Sequence, residues 1–247
     1  MTTTFIAVFA AGLAAGFLNV MAGGGSLITL PVLLFLGLPV AAANGTNRLA
    51  ILVQNATAVA SFRRQGYADM RRGLGYALAT VPGAVAGAIL AVRVSEGVFR
   101  GLLAAVLAFA VIGLLFPRAK QGIVEAQASV HVGLPALAGF FAIGFYGGFI
   151  QAGVGFLIML VLHRMLAIDL VRTNMHKVLI ILVFSVPALT VFVVTRNVVW
   201  TAGAVLAAGN AVGGIVATRV SVKGGERPIR IVVAVALLLM AVRLLSR

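Results

Sequence analysis

Two glycine-rich turns interrupt apolar stretches of this chain, and both could present backbone amide groups to a ligand. They are Gly23-Gly24-Gly25-Ser26 and Ala152-Gly153-Val154-Gly155. A helix that begins at such a turn has N–H groups without an internal partner and carries the positive end of its dipole there. Glycine lets an anion approach the backbone closely, and the Ser26 hydroxyl adds a donor. Either turn alone is more typical of a ligand-free helix contact, but two at matched positions favour a binding site.

Polar side chains near the turns, or inside apolar stretches where they are costly, extend this hypothesis. Asn47, Gln54 and Ser61 are seven residues apart and so share one helix face. Taken singly, such amides are as well explained by hydrogen bonds between helices. Arg48 and Lys177 are included as candidates, although we expect both to extend to the membrane interface. The candidate substrate-binding residues are Asn19, Gly23, Gly24, Gly25, Ser26, Thr46, Asn47, Arg48, Gln54, Gln151, Gly153, Gly155, Thr173, Asn174, His176 and Lys177.

The elements that position these residues are predicted to be membrane helices. The 247 residues are 62% apolar, with a mean hydropathy of +1.15, which is far above the content of soluble domains. We therefore predict an all-α polytopic membrane protein, with the lipid bilayer as its surroundings. No charge lies in residues 1–4, so the first stretch is predicted to be mature structure and not a signal peptide. The ten predicted segments are about 5–21, 25–38, 47–62, 74–92, 98–116, 131–150, 153–168, 176–195, 198–217 and 229–245.

The two halves of the chain resemble each other at a steady spacing. The glycine turns are 130 residues apart, Thr46-Asn47 and Thr173-Asn174 are 127 apart, and Arg93 and Arg219 are 126 apart. This pattern predicts two five-segment repeats, 1–117 and 131–247, joined by a cytoplasmic linker, 118–130, within one integrated membrane domain.

Basic residues indicate how the two repeats are oriented. The loop 63–72 holds four arginines, whereas the matching loop near 195–199 holds only Arg196. Because cytoplasmic loops are enriched in Lys and Arg, matching loops are predicted to lie on opposite sides of the membrane, which means that the two repeats are inverted. The same model places both termini outside, although Arg243 and Arg247 argue mildly against an outside C-terminus. Segments 1–2 and 6–7 then either cross fully or form re-entrant hairpins. In the hairpin arrangement the two glycine turns would meet near the middle of the membrane.

Charge also limits the function classes. The net charge of +14 is explained by the positive-inside bias, and nucleic-acid binding is not expected. All five acidic residues, Asp69, Glu96, Glu125, Asp169 and Glu226, fall in loops or at segment ends. The lack of a mid-membrane carboxylate favours an anionic substrate over a cation or metal. It also favours transport that is driven by a substrate gradient or the membrane potential. His176 stays a candidate for carrying a proton. The absence of cysteine excludes disulfides, iron–sulfur clusters and thiolate zinc sites, and we expect no cofactor and no metal site.

The sequence resembles the sulfite exporter TauE/SafE family. The resemblance is carried by Gly16–Leu27 with Pro31, by Ala43–Arg48 with Phe62, and in the second half by Gly144–Gly155 and Arg172–Asn174. It covers essentially the whole chain. The resemblance implies a transporter of sulfite, sulfoacetate or related sulfonates, generally an exporter of the bacterial inner membrane. The charge pattern indicates an anion and says nothing about sulfur.

Three other functions are compatible with the sequence to different degrees. An importer or broad carrier of another small anion, such as a carboxylate, explains the same features. An intramembrane serine hydrolase would need Ser26 beside a histidine, yet no Gly-x-Ser-x-Gly elbow is present. A non-transporting scaffold leaves the matched glycine turns unexplained. The Gly-xxx-Gly pairs are compatible with a homodimer and equally with contacts inside one chain.

Overall fold

The computed structural model describes residues 2–67, 71–115, 134–166, 169–229 and 231–232, and these ranges are almost entirely helical, without strands. The all-α prediction is confirmed. The tenth predicted segment falls mostly outside the described residues, as do the linker 118–130 and the repeat boundaries beside it. The described helices are α1 (Thr2–Met21), α2 (Ser26–Phe35), α3 (Val40–Arg64), α4 (Arg71–Arg93), α5 (Glu96–Leu115), α6 (Leu134–Phe149), α7 (Val154–Leu166), α8 (Leu170–Val194) and α9 (Trp200–Gly224).

Helices α3 and α8 begin earlier than the hydropathy pattern indicates. α3 starts at Val40, after Pro39, and not at residue 47. α8 starts at Leu170, where the Asp169 side chain accepts a hydrogen bond from the backbone N–H of Arg172, and not at residue 176. In both helices a polar run lies within the first three turns, and this depressed the local hydropathy without ending the helix. Polar residues near these starts consequently lie inside long helices.

Helix lengths separate crossing helices from short ones. Among the described residues, four helices are long and apolar enough to cross a membrane: Thr3–Met21, Gly73–Arg93, Leu170–Val194 and Trp200–Gly224. By contrast, α2 has only 10 residues and α7 only 13. At about 1.5 Å per residue both are well short of the roughly 30 Å hydrocarbon core. The protein is therefore a multi-pass membrane protein in which the helix after each glycine turn is too short to cross.

Packing between the halves follows a pseudo-two-fold pattern. α1 packs along α9 and α4 packs along α6, while α3 contacts α9 and α4 contacts α8. If α1, α3 and α4 are exchanged with their counterparts α6, α8 and α9, the α1–α9 pair becomes the α6–α4 pair, and the α3–α9 pair becomes the α8–α4 pair. α3 and α8 contact each other and lie at the centre of the arrangement.

Glycines determine how closely the paired helices approach and in which direction they run. Gly12 lies against Leu206 and Gly213 lies against Leu13 and Phe17, so α1 and α9 touch backbone to backbone and run parallel. Gly83 and Gly87 make the same kind of contact with Phe141 and Phe145 of α6. Small residues allow this approach, as is usual between membrane helices.

These directions are the ones that inverted repeats require. α3 also runs parallel to α9, because Gly203 lies beside Thr46 whereas Thr218 contacts Ser61 near the other end. α4 follows α3 after a short connection and so returns in the opposite direction. α9, the counterpart of α4, thus runs opposite to α4, which means that the matched helices have opposite orientations.

The glycine turns lie near half height of the two central helices. Ser26 contacts Asn47, and Asn19 contacts Gln54, on either side of the middle of the 25-residue α3. In the second half, Gly147 lies against Phe184, near the middle of the 25-residue α8. Each central helix is about 37 Å long, enough to cross a bilayer. This arrangement fits re-entrant hairpins better than ten full crossings.

Single cysteines test the inversion directly, because the natural chain has none. Gln65 and Thr195 follow α3 and α8, the matched third helices of the two halves. We expect a membrane-impermeant maleimide to label Thr195→Cys in intact cells and to label Gln65→Cys only after permeabilisation. The cysteine-free parent is the control. Labelling of both positions from the same side would contradict inverted orientation.

Candidate functional site

The two glycine turns are in direct contact. A Cβ atom added to Gly23 would lie 2.6 Å from Gly155 Cα and 2.6 Å from the Phe156 backbone nitrogen. One added to Gly155 would lie 3.0 Å from the Gly23 carbonyl oxygen. Gly23 also has a φ of +89°, which favours glycine. Any side chain at either position would push the turns apart, so the sequence requires glycine where the two halves meet.

Each turn separates a long apolar helix from a short one. α1 ends at Met21 and α2 begins at Ser26. α6 ends at Phe149, the chain reverses through Gln151 (φ +65°) and Gly153 (φ +75°), and α7 begins at Val154, one residue after the predicted start of the seventh segment. The Tyr146 hydroxyl donates to the Ala152 carbonyl oxygen at 2.5 Å and braces the second turn. The turn that precedes α2 is thereby held against the first residues of α7.

A buried polar network surrounds the first turn. The Asn47 side-chain amide donates to the Ser26 hydroxyl at 3.3 Å, and the Thr29 hydroxyl donates to Asn47 Oδ1 at 2.6 Å. Below the turn, Asn19 Nδ2 donates to Gln54 Oε1 at 3.1 Å. The polar face predicted for α3 therefore meets the first broken helix through Asn47 and Gln54.

Lys177 lies at the buried end of α1. Its ammonium group donates to the carbonyl oxygens of Asn19 (3.1 Å) and Val20 (2.6 Å) and to Asn174 Oδ1 (2.8 Å). The last carbonyls of a helix have no internal partner and carry the negative end of its dipole. A basic side chain from the second half thus caps the broken helix of the first.

Arg48 has the corresponding role at the end of α6. Its guanidinium group donates to the carbonyl oxygens of Gly147 (3.0 Å), Gly148 and Phe149 (3.4 Å), and it lies over the Phe192 ring. Asn44 adds a bond to the Phe149 carbonyl oxygen at 2.8 Å. Both basic side chains are fully buried. The expectation that they reach the membrane interface is wrong, because each lies well inside its helix and finds its partners on the opposite broken helix.

Neither buried basic group has a carboxylate partner in the described part of the chain. Ion pairs there join Arg100 to Glu96 and Arg172 to Asp169, and both pairs are exposed. Two acidic side chains instead cap the central helices: Glu96 accepts from the Val40 N–H and Glu226 from the Leu170 N–H. The acids were predicted to lie at segment ends, and these do. The centre of the protein accordingly holds two basic groups and lacks a counter-charge among its described residues.

Several buried donors beside the turns have no hydrogen-bond partner among the described residues. They are Gln54 Nε2, Asn174 Nδ2, Arg48 Nε and Gln151 Nε2, and the acceptors Gln151 Oε1 and Asn44 Oδ1 are likewise unpaired there. Gln54 and Asn174 are both linked to the end of α1, the first through the Asn19 side chain and the second through Lys177. Gln151 belongs to the second turn itself and is 2% exposed. Buried polar groups are normally paired, so this cluster of donors indicates a ligand or water.

Three predicted site residues lie away from the turns. The Thr46 hydroxyl accepts from the Val199 N–H at 2.9 Å at the start of α9, and the Thr173 hydroxyl donates to the Asp169 carbonyl oxygen at 2.9 Å. His176 lies against Gly73 of α4. The Ser26 hydroxyl contacts Asn47, a geometry that offers no support for a serine–histidine pair.

Sequence reasoning missed Thr29 and did not select Asn44. Thr29 is buried inside an apolar run, so only its bond to Asn47 reveals its part in the site. Asn44 lies four residues before Arg48, which puts both side chains on one face of α3. That spacing was a readable signal, because it repeats the amide-and-base pairing of Asn174 and Lys177.

Two broken helices that meet among buried polar groups, in halves of opposite orientation, have the construction of a secondary transporter. A family model described as "Sulfite exporter TauE/SafE" matches residues 8–244, and the chain belongs to this family. The resemblance seen in its motifs is confirmed, and the protein is a multi-pass membrane transporter of that family.

Relatives with similar sequences span nearly the whole chain. A probable membrane transporter protein, ORF9, of Sinorhizobium sp is 30% identical over 240 residues, which cover 97% of this chain and 91% of the relative. The probable membrane transporter protein YfcA of Escherichia coli K12 is 29% identical over 96% of this chain and 88% of its own. A probable membrane transporter protein of Haemophilus influenzae is 26% identical over 96% of this chain and 92% of its own. No solved structure matches the chain.

Replacing Arg48 should destabilise the protein. Arg48→Met removes the donor to the buried carbonyls of α6, and each buried polar group left unpaired costs about 1–3 kcal/mol. We expect the melting temperature in detergent to fall by about 10 °C. Arg93→Met is the matched control, because Arg93 is exposed at the end of α4. Equal effects of the two substitutions would contradict the capping role of Arg48.

Proposed function

We propose that this protein transports small sulfur-containing anions, namely sulfite, sulfoacetate or related sulfonates, across the bacterial inner membrane, and that it works as an exporter. The observation that carries the proposal is the pair of buried basic residues, Arg48 and Lys177, which flank two touching helix N-termini without a carboxylate partner in the described chain. An anion beside the touching turns would supply the missing counter-charge. The choice of sulfur anions rests on the family's description.

The donor set suits an oxyanion. The side-chain amides of Gln54, Asn174 and Gln151 and the Nε atom of Arg48 offer unpaired N–H groups to a ligand. Hydrogen bonds to a charged acceptor are about twice as strong as neutral ones. A sulfite or sulfonate group has three oxygens to accept them. A metal cation would be repelled by the two buried basic side chains.

Flux measurements test the substrate class. The purified protein, reconstituted in liposomes, should move sulfite or sulfoacetate faster than empty liposomes do, with sulfate and acetate as comparison anions. Fastest movement of acetate would favour the alternative, a carrier of small carboxylates. Movement of a cation while every anion stays behind would overturn the electrostatic argument.

Gln151→Met separates a binding role from a structural one. The Gln151 side chain makes no hydrogen bond within the described chain, so a methionine of similar size removes no internal bond. We expect the melting temperature to stay the same or rise by a few degrees, because an unpaired buried amide is costly. Anion flux should fall by about tenfold or more, since a hydrogen bond to a charged group is lost.

Gln65→Met is the matched control for Gln151→Met. The Gln65 amide bonds to Ser61 and Thr218 at the far end of α3. This variant should lose a little stability and keep its flux. Normal transport by Gln151→Met at unchanged stability would remove Gln151 from the proposed site.

A further inference from the structure

A groove at the end of α9 combines basic and apolar residues in an order that fits a lipid. It has a volume of about 670 Å³ and lies where the chain turns through Gly224 and Pro228. Its lining residues are Val216, Arg219, Val220, Lys223, Gly224, Arg227, Pro228 and Ile231. We propose that this groove binds one anionic glycerophospholipid of the cytoplasmic leaflet, with the phosphate at the basic residues and an acyl chain along the apolar wall.

The basic residues form a single stripe. Arg219, Lys223 and Arg227 are four residues apart and all exposed, and none of them forms a hydrogen bond or ion pair within the described chain. Glu226, the acid of this segment, is directed to the Leu170 N–H at the start of α8. Three basic side chains therefore face the groove, and a phosphate group would satisfy them.

The apolar residues lie beside this stripe. Val216 and Ile231 are 44% and 52% exposed, and both line the groove together with the three basic residues. The corner is rigid, because Ile229 is fully buried in a cluster with Phe62 and Met175, and because Pro228 packs closely on Gly224. The exposed aliphatic side chains would contact an acyl chain, and the neighbouring basic groups would contact the phosphate of the same phospholipid.

Two observations point to the cytoplasmic leaflet and to a specific site there. α3 and α9 run parallel, so the exposed Arg63 and Arg64 at the end of α3 lie on the same side as the groove, which marks the positive and hence cytoplasmic side. The matched corner of the first half differs. Residues 94–99, after Arg93, hold no Lys or Arg, whereas Lys223 and Arg227 follow Arg219 in the second half. A general charge bias does not require a stripe of basic residues along one groove.

Lipid binding to the detergent-purified full chain, followed by native mass spectrometry, tests this proposal. Phosphatidylglycerol should be retained at least tenfold better than phosphatidylcholine, and soluble glycerol 3-phosphate should not compete. Equal retention of the two lipids by the natural chain, or full competition by glycerol 3-phosphate, would overturn the lipid site; this measurement needs no variant.

A charge-matched pair of variants locates the site. Lys223→Gln/Arg227→Gln should weaken phosphatidylglycerol binding by about thirtyfold, because each basic residue near an anionic surface raises the affinity by about fivefold. Arg63→Gln/Arg64→Gln removes the same charge from the same side and should leave the preference unchanged. Equal losses in both variants would show a diffuse surface effect and would overturn the groove as the binding site.

Discussion

The structure depends on the hydrogen bonds made by the last carbonyl groups of two helices that end inside the membrane domain, where little water is available. α1 and α6 stop inside the protein, and their last carbonyl groups would be costly without partners. Lys177 and Arg48 supply those partners, and each comes from the half that does not contain the broken helix. The breaks are thus stable only when both halves are assembled, which ties the glycine turns to the central pair of helices α3 and α8.

This way of capping the helices also shapes how an anion would be held. The three N–H groups of Lys177 are already engaged with Asn19, Val20 and Asn174, so its charge would act on a ligand through space and not by a close ion pair. Direct contacts fall to neutral amides such as those of Gln54 and Gln151. A carrier must release the ligand that it binds. Neutral donors near buried basic side chains favour anions over cations and keep the affinity moderate, because no close ion pair forms.

The sequence was sufficient to predict the helical class and the matched glycine turns, because glycine pairs and charge bias are local, repeated signals. It predicted the meeting of the turns only as one of two open arrangements. It failed for Arg48 and Lys177. Polar residues at Asn44–Asn47 hid the first two turns of α3, so Arg48 seemed to lie at a helix end although it is the ninth residue of a 25-residue helix. Its partners lie about a hundred residues away in Gly147 and Phe149, and such distant carbonyl groups leave no mark on local composition. Thr29 was missed for the same reason.

The backbone contacts of α1 with α9 and of α4 with α6 have a consequence for biosynthesis and ancestry. During synthesis α1 finds its companion α9 only after some two hundred further residues are made, so neither half encloses a complete interior alone. A single five-helix ancestor would have needed a second copy inserted upside down to bury the same glycines. Gene fusion would then have turned an antiparallel pair of chains into one polypeptide, and would have freed each copy to diverge, as the unequal corners after α4 and α9 illustrate.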